Sequence, residues 1–339
     1  MHPSFLITPH TLDRVIPGEI WPTTFSTHFR FYQWQPGGNS KALPLVYDKD
    51  LAGEFSRVCY FAHCDGLVLA PTDTKLYLFN PATRDAVALP NDTRDVTQQQ
   101  GGYYHSAAGL GLDPRTGKYK VVRSFYRKLD VCSNIYHMGM EVFTVGGATW
   151  REMERDPPYP VARWQTAVTV KGFMFWHMEK CHHERPPRGL LRLSLADEAF
   201  GVVDLPDSLD PALDDSFMLD VVNGEELWLT SRTSEAPPPG TVNIWAMSPM
   251  DVGSSRWQRR YTIYVSDVCH PMGLLPGGGG LLLWKGYALY RCDLEISEVT
   301  AECEMNGGVR YQGCRARKWK NLFRFNVRPY TESLVRITV

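Results

Sequence analysis

The chain has 339 residues, 43% hydrophobic and 22% charged, enough for one large core or two small ones. Lys and Arg number 36 against 37 Asp and Glu, a formal net charge of −1. That balance speaks against non-specific binding to nucleic acid, a polybasic membrane anchor and an acidic disordered tail.

In chain order the sequence reads as short strands separated by tight turns. Early strands are expected at residues 5–8 and 29–34, then a strand pair over 61–70. Residues 76–90 are the clearest hairpin. Leu76-Tyr77-Leu78-Phe79 turns through Asn80-Pro81-Ala82-Thr83, where Asn can close the turn with its side chain and Pro fixes φ. Residues 94–104 are polar and read as an inserted loop. A pair follows at 108–123, broken by the turn Asp113-Pro114-Arg115-Thr116-Gly117. Hairpins are then expected at 141–153, 190–206, 243–261 and 288–301, preceded by strand pairs at 166–176, 217–230 and 272–284. The second of these pairs turns at Asn223-Gly224, a strong hairpin signal. Residues 210–219 allow a helical turn or two at most, and late strands are expected at 323–327 and 334–337.

The hairpins begin near 76, 141, 190, 243 and 289, between 46 and 65 residues apart. Four short strands with their turns need roughly 40–50 residues, the spacing of a β-propeller blade. Five blades are readable internally, and pairing of the N- and C-terminal strands supplies a sixth. The expectation is an all-β propeller of about six four-stranded blades, with five or seven as alternatives, closed by strands from the two chain ends. With 10 Trp, 16 Tyr, 15 Phe, 28 Gly and 24 Pro, the composition fits such a fold.

Chemistry-bearing patterns are sparse. Cys181-His182-His183, with His177 and Glu184 nearby, is rich in metal ligands, but neighbours on a strand point to opposite faces. There is no Cys-x-x-Cys or His-Glu-x-x-His, and Cys292, Cys303 and Cys314 read as packing thiols. Gly-x-Ser-x-Gly is absent, and the tetraglycine ending at Gly280 lacks the Lys and the helix of a phosphate loop. The acidic pairs Asp214-Asp215 and Glu225-Glu226 sit by turns and read as solvated surface. No catalytic residue, metal or cofactor is therefore expected. Aromatic and basic side chains in loops are the better clue, because Trp, Tyr and Arg most often anchor interfaces. Tyr103, Tyr104, His105, Arg163, Trp164, Lys180, His182, His183 and Arg185 are the candidate partner contacts, although Trp and Tyr also fill the packing between blades.

Several of these segments together resemble a known family. Cys64-Asp65-Gly66-Leu67-Val68, Phe79-Asn80-Pro81-Ala82-Thr83-Arg84, Gly109-Leu110-Gly111-Leu112-Asp113-Pro114 with Tyr119-Lys120-Val121-Val122, Glu141-Val142-Phe143 with Trp150-Arg151, and Pro329-Tyr330-Thr331-Glu332-Ser333-Leu334-Val335 are similar in order and spacing to the F-box-associated domain of plant F-box proteins. The resemblance implies a kelch-like recognition propeller that captures a target protein for a Skp–cullin–F-box ubiquitin ligase. It also implies an F-box, a short helical module that docks on the Skp-type adaptor. Residues 1–60 do not read as that module, because Pro9, Pro17, Pro22 and Pro36 interrupt any helix. The expectation is thus a single recognition domain over 1–339 without an F-box, for which adaptor binding is not expected. Its partner would be an unknown protein, with no nucleic acid or membrane involved. Two alternatives stay open: a propeller enzyme or carbohydrate-binding protein, and a decoy that holds the target without ubiquitination. The first 30 residues lack the basic and apolar regions of a secretory signal, and the eight cysteines then read as reduced thiols of the cytoplasm or nucleus.

Overall fold

The computed structural model describes residues 3–14, 24–38, 42–90, 107–130, 135–162, 165–179, 187–214, 216–233, 240–250, 257–265, 268–275 and 280–337. These fall into two compact units. Unit 1 takes residues 1–15, 28–50 and 205–331, and unit 2 takes 16–27, 51–204 and 332–339.

The strands are β1 (Phe5–Arg14), β2 (Thr24–Phe25), β3 (His28–Trp34), β4 (Leu45–Asp50), β5 (Ala62–Cys64), β6 (Leu67–Pro71), β7 (Leu76–Asn80) and β8 (Asp85–Ala88). There follow β9 (Ala108–Leu112), β10 (Tyr119–Asp130), β11 (Ile135–Thr144), β12 (Arg151–Glu152), β13 (Val168–Val170), β14 (Phe173–His177), β15 (Gly189–Ser194) and β16 (Ala199–Asp204). The chain continues through β17 (Met218–Val222), β18 (Glu226–Arg232), β19 (Thr241–Met247), β20 (Gln258–Tyr264), β21 (His270–Leu274), β22 (Leu281–Lys285), β23 (Ala288–Cys292), β24 (Val299–Glu304) and β25 (Leu322–Pro329). Among the described residues the only helix is a 3₁₀ turn, Pro211–Leu213. It begins at Asp210, whose side chain accepts from the Ala212 amide, and ends at Asp214, which is buried where the sequence reading expects a solvated carboxylate.

Six antiparallel sheets result, and the fold is the expected six-bladed β-propeller. Unit 2 holds the consecutive four-stranded meanders β5–β8, β9–β12 and β13–β16. Unit 1 holds β17–β20, β21–β24 and a sheet in which β25, β1, β3 and β4 lie in that order. In this last sheet the chain ends meet as expected: Phe5 faces Pro329 and Ile7 faces Val327.

Each unit buries apolar side chains between facing sheets. In unit 2, Leu67, Leu69, Leu76 and Leu78 pack on Leu110, Val121 and Phe143, and Val122, Met140 and Val142 pack on Met174, Trp176 and Leu193. In unit 1, Trp228, Ile244 and Ala246 pack on Leu281 and Leu283, and Phe5, Tyr32 and Phe325 pack on Leu282, Trp284 and Leu289. Middle strands are covered on both faces, so β6 and β7 are buried throughout, whereas the outer strands β20 and β24 are mostly exposed. Two-residue turns are set by residues that tolerate positive φ: Asp65 and Gly66 at 47° and 82°, Asn223 and Gly224 at 56° and 71°.

Three features differ from the sequence reading. β4 is a strand that it does not anticipate, and β10 and β11 extend well beyond the expected hairpin. Residues 334–337 are extended but join no sheet. They are held by a side chain: Asn80 Nδ2 donates to the carbonyls of Ser333 and Val335 at 2.9 and 2.8 Å, while Oδ1 accepts from the Ala82 amide at 3.1 Å. One asparagine thus closes its own turn and fastens the C-terminal segment, whose Ile337 joins the core of unit 2.

Candidate protein-binding surface

All nine candidate contact residues, Tyr103, Tyr104, His105, Arg163, Trp164, Lys180, His182, His183 and Arg185, lie outside the described residues, as do the polar loop at 94–104 and Cys181. Among the described residues, no group of three or more His, Cys, Asp or Glu gathers as metal ligands. No helix there is long and apolar enough to cross a membrane. Among the described residues, six cysteines are free thiols.

Most segments that carry the family resemblance are architectural. Asp113 is fully buried, and its carboxylate lies 3.0 Å from Lys120 Nζ. It also accepts from the Arg115 amide at 2.8 Å and the Thr116 hydroxyl at 2.9 Å. Lys120 donates onward to the Leu195 carbonyl at 2.8 Å and to Glu198 at 3.1 Å, and Glu198 takes a bidentate grip from Arg151 at 2.6 and 2.7 Å. Burial alone would raise both carboxyls. The Lys120 ammonium and the turn donors around Asp113 outweigh it there, and Arg151 with Lys120 outweighs it at Glu198, so both stay below the usual carboxylate range. Trp150 donates from Nε1 to the Pro90 carbonyl at 2.7 Å, and the Arg123 guanidinium lies 4.0 Å above its ring.

Two assemblies in unit 1 are of another kind. The first is a groove of about 370 Å³. Trp34, Leu43, Pro44 and Val309 give its apolar lining, Gln33 and Gln35 its neutral polar one, and Glu302, Arg310 and Arg317 its charge. One wall is given by Gly308, Val309, Arg310 and Arg317, in a segment, residues 306–321, that contains Arg310, Arg315, Arg317, Lys318 and Lys320 and no acidic residue. All five cations are exposed. The side chains of Arg310 and Arg317 make no ion pair or hydrogen bond among the described residues.

The wall is held firmly. Leu43 donates its amide to the Arg310 carbonyl at 2.8 Å, Gln312 donates to the Leu43 carbonyl at 2.9 Å, and the Leu45 amide donates to Gln312 Oε1 at 3.0 Å. The rings of Tyr32, Tyr311 and Trp319 meet edge to face, with Tyr32–Tyr311 centroids 4.7 Å apart and Tyr311–Trp319 centroids 5.1 Å apart. Tyr311 donates to the Met305 carbonyl at 2.6 Å, and the Tyr32 hydroxyl meets Cys314 Sγ at 3.4 Å. Burial pushes both phenols up, helped at Tyr32 by the Cys314 contact, and burial with the neighbouring Glu302 and Glu304 pushes the Cys303 thiol up to about 12. These groups stay neutral, so the charge at the groove comes from its exposed side chains. Arg315-Ala316-Arg317-Lys318-Trp319-Lys320, a basic run with an aromatic, is the sequence signal of this groove, and it lies outside the loops between hairpins that carry the candidate contacts.

The second assembly joins three edge strands. Asp220 on β17 meets His270 Nδ1 on β21 at 2.9 Å, and Arg328 on β25 at 3.7 Å. The His270 ring stacks on Trp284, 4.6 Å between centroids and 19° between planes. A carboxylate, an imidazole and a guanidinium therefore converge where sheets of unit 1 adjoin.

The fold is thus a propeller of antiparallel blades whose unit 1 carries a charged surface groove. The profile of the F-box associated beta propeller domain matches residues 37–337, and the chain belongs to that family. Among its relatives in Arabidopsis thaliana, the F-box/LRR-repeat protein At2g43260 is 23% identical over 68% of this chain and 54% of its own length. The F-box protein CPR1 is 26% identical over 60% and 51%, and the F-box protein At2g40925 is 32% identical over 36% and 32%. The chain thus spans about half or less of the length of these relatives.

Proposed function

We propose that this chain is a non-enzymatic protein-recognition domain that captures a target for a Skp–cullin–F-box ubiquitin ligase in the cytoplasm or nucleus. The family match over residues 37–337, with relatives that are F-box proteins, carries the reading. Propeller scaffolds present loops on a stable frame, and such loops supply specificity without altering the core. The test is a pull-down of the Skp-type adaptor and the cullin with the full chain, together with the half-lives of proteins that co-purify. A receptor arm shortens the half-life of its target when overexpressed, and a decoy lengthens it. Turnover of a small substrate, abolished by single substitutions, would overturn the reading.

One observation favours a second reading. The convergence of Asp220, His270 and Arg328 is the kind of constellation that an enzyme or a carbohydrate-binding propeller would use. Against it, the Asp220 carboxylate is already engaged by both partners, which makes the trio a clasp between strands. Asp220→Asn separates the two: a clasp loses stability, whereas a sugar site loses ligand binding at unchanged stability.

A further inference from the structure

We propose that the groove of unit 1 binds a short acidic segment of a target protein, its carboxylates on Arg310 and Arg317 and an apolar side chain on Trp34, Leu43 and Val309. The proposal rests on the receptor reading for its biological setting, but its chemistry stands on the groove alone.

Charge complementarity fixes the class of occupant. The whole chain is near neutral, yet residues 306–321 carry five cations and no acidic residue. Two other arginines of unit 1 are engaged: Arg260 is paired with Glu226 at 2.7 Å, and Arg328 lies near Asp220. Arg310 and Arg317 at the groove keep their forks open, and a guanidinium fork matches a carboxylate in two parallel hydrogen bonds. Shape narrows the class further. A groove of about 370 Å³ lies at the low end of the range for small ligands, and takes a few side chains of an extended segment rather than a folded face. The aromatic anchors Tyr32, Tyr311 and Trp319 hold the wall in place before binding, so little ordering cost falls on this side of the contact.

Glu302 decides between a peptide and a nucleic acid. It is exposed on the same groove, so a continuous phosphate backbone would run past a fixed negative charge. A peptide can place an amide, a Lys or its own polar residue there, which also sets its direction in the groove. The near-neutral net charge disfavours a polyanion for the same reason.

The test uses the full chain and an array of labelled peptides bearing one Leu, Phe or Trp flanked by Asp and Glu. Neutral Asn/Gln copies, phosphoserine copies and a single-stranded oligonucleotide complete the array, read by fluorescence polarisation. The proposal predicts binding of acidic peptides that weakens with salt and is about tenfold tighter than that of the neutral copies. Arg310→Glu and Arg317→Glu should each cost about tenfold. Arg315→Glu, on the same segment but not lining the groove, should change affinity by less than about twofold. Thermal melting confirms that the variants fold. Equal binding of neutral peptides, binding of only phosphopeptides or oligonucleotide, or indifference to both reversals overturns the proposal. If the peptides fail while the altered half-life of co-purifying proteins persists, this inference falls and the receptor reading stands. Should both fail, the receptor reading falls as well.

Discussion

Lys120 shows how much can depend on one side chain. Its ammonium lies between fully buried Asp113 and half-buried Glu198, far from bulk water. Removing it leaves a carboxylate without its counter-charge, so Lys120→Met should destabilise unit 2 by about 3–5 kcal/mol in denaturant titrations. Asp113→Asn combined with Lys120→Met should cost less than the two single changes together, because the penalty is that of a stranded charge. Arg151→Ala, half-exposed at the end of the network, should cost at most about 1 kcal/mol. At His10 the same physics gives a pH dependence. The ring is buried, accepts at Nε2 from the Asn326 amide at 2.6 Å, and has its basicity lowered by burial and by Arg324. The unfolded imidazole takes up a proton near pH 6.5 and the folded one does not. Stability is therefore full above that pH and falls as the pH drops through it. The lowered carboxyls of Asp113 and Glu198 add a second loss below about pH 4. Thermal melts between pH 7 and 3 should show both stages, and His10→Gln should flatten the first.

At the scale of the element, turns and glycines explain which strands the sequence betrays. Asn80-Pro81, Asp65-Gly66 and Asn223-Gly224 encode their turns locally, so the hairpins around them were readable without the structure. β4 was not, because Leu45-Val46-Tyr47-Asp48-Lys49-Asp50 is a half-exposed outer strand with no alternation of apolar residues, and only its pairing with β3 defines it. Residues 334–337 misled in the opposite sense. Leu334-Val335-Arg336-Ile337 alternates like a strand, but the carbonyls of Ser333 and Val335 are taken by Asn80. Asn80→Ala should cost about 1–3 kcal/mol and raise amide hydrogen exchange over 332–337. Gly109 and Gly111 let β9 approach its neighbour. A Cβ on Gly111 would lie 2.5 Å from Thr169 Cγ2 and 2.7 Å from Leu195 Cδ1. Gly111→Ala should therefore destabilise by about 1–3 kcal/mol, measured by urea melts, in spite of alanine's better strand conformation.

For the molecule as a whole, the repeat spacing gave five blades, and the union of the chain ends pointed to a sixth with five or seven still open, because each blade is a local meander with its own turns. The interaction surface was legible only in part. The aromatic and basic residues of loops between hairpins, the sequence's candidates, fall outside the described ones. The groove instead combines the end of β3, residues just before β4, Glu302 of β24 and the segment after it, which lie some 260 residues apart in sequence and come together only in the folded sheet of unit 1. Its basic wall was visible as composition, but its unpaired arginines and aromatic anchors were not. The proposal that the groove of unit 1 captures the target is tested most directly in living cells. Proximity labelling with the full chain and with the Arg310→Glu/Arg317→Glu variant should be read together with the half-lives of the labelled proteins. The account predicts a small set of proteins whose labelling and altered half-life both depend on the two arginines, at equal expression and melting temperature of the two chains. An identical set with unchanged half-lives for both chains would contradict it.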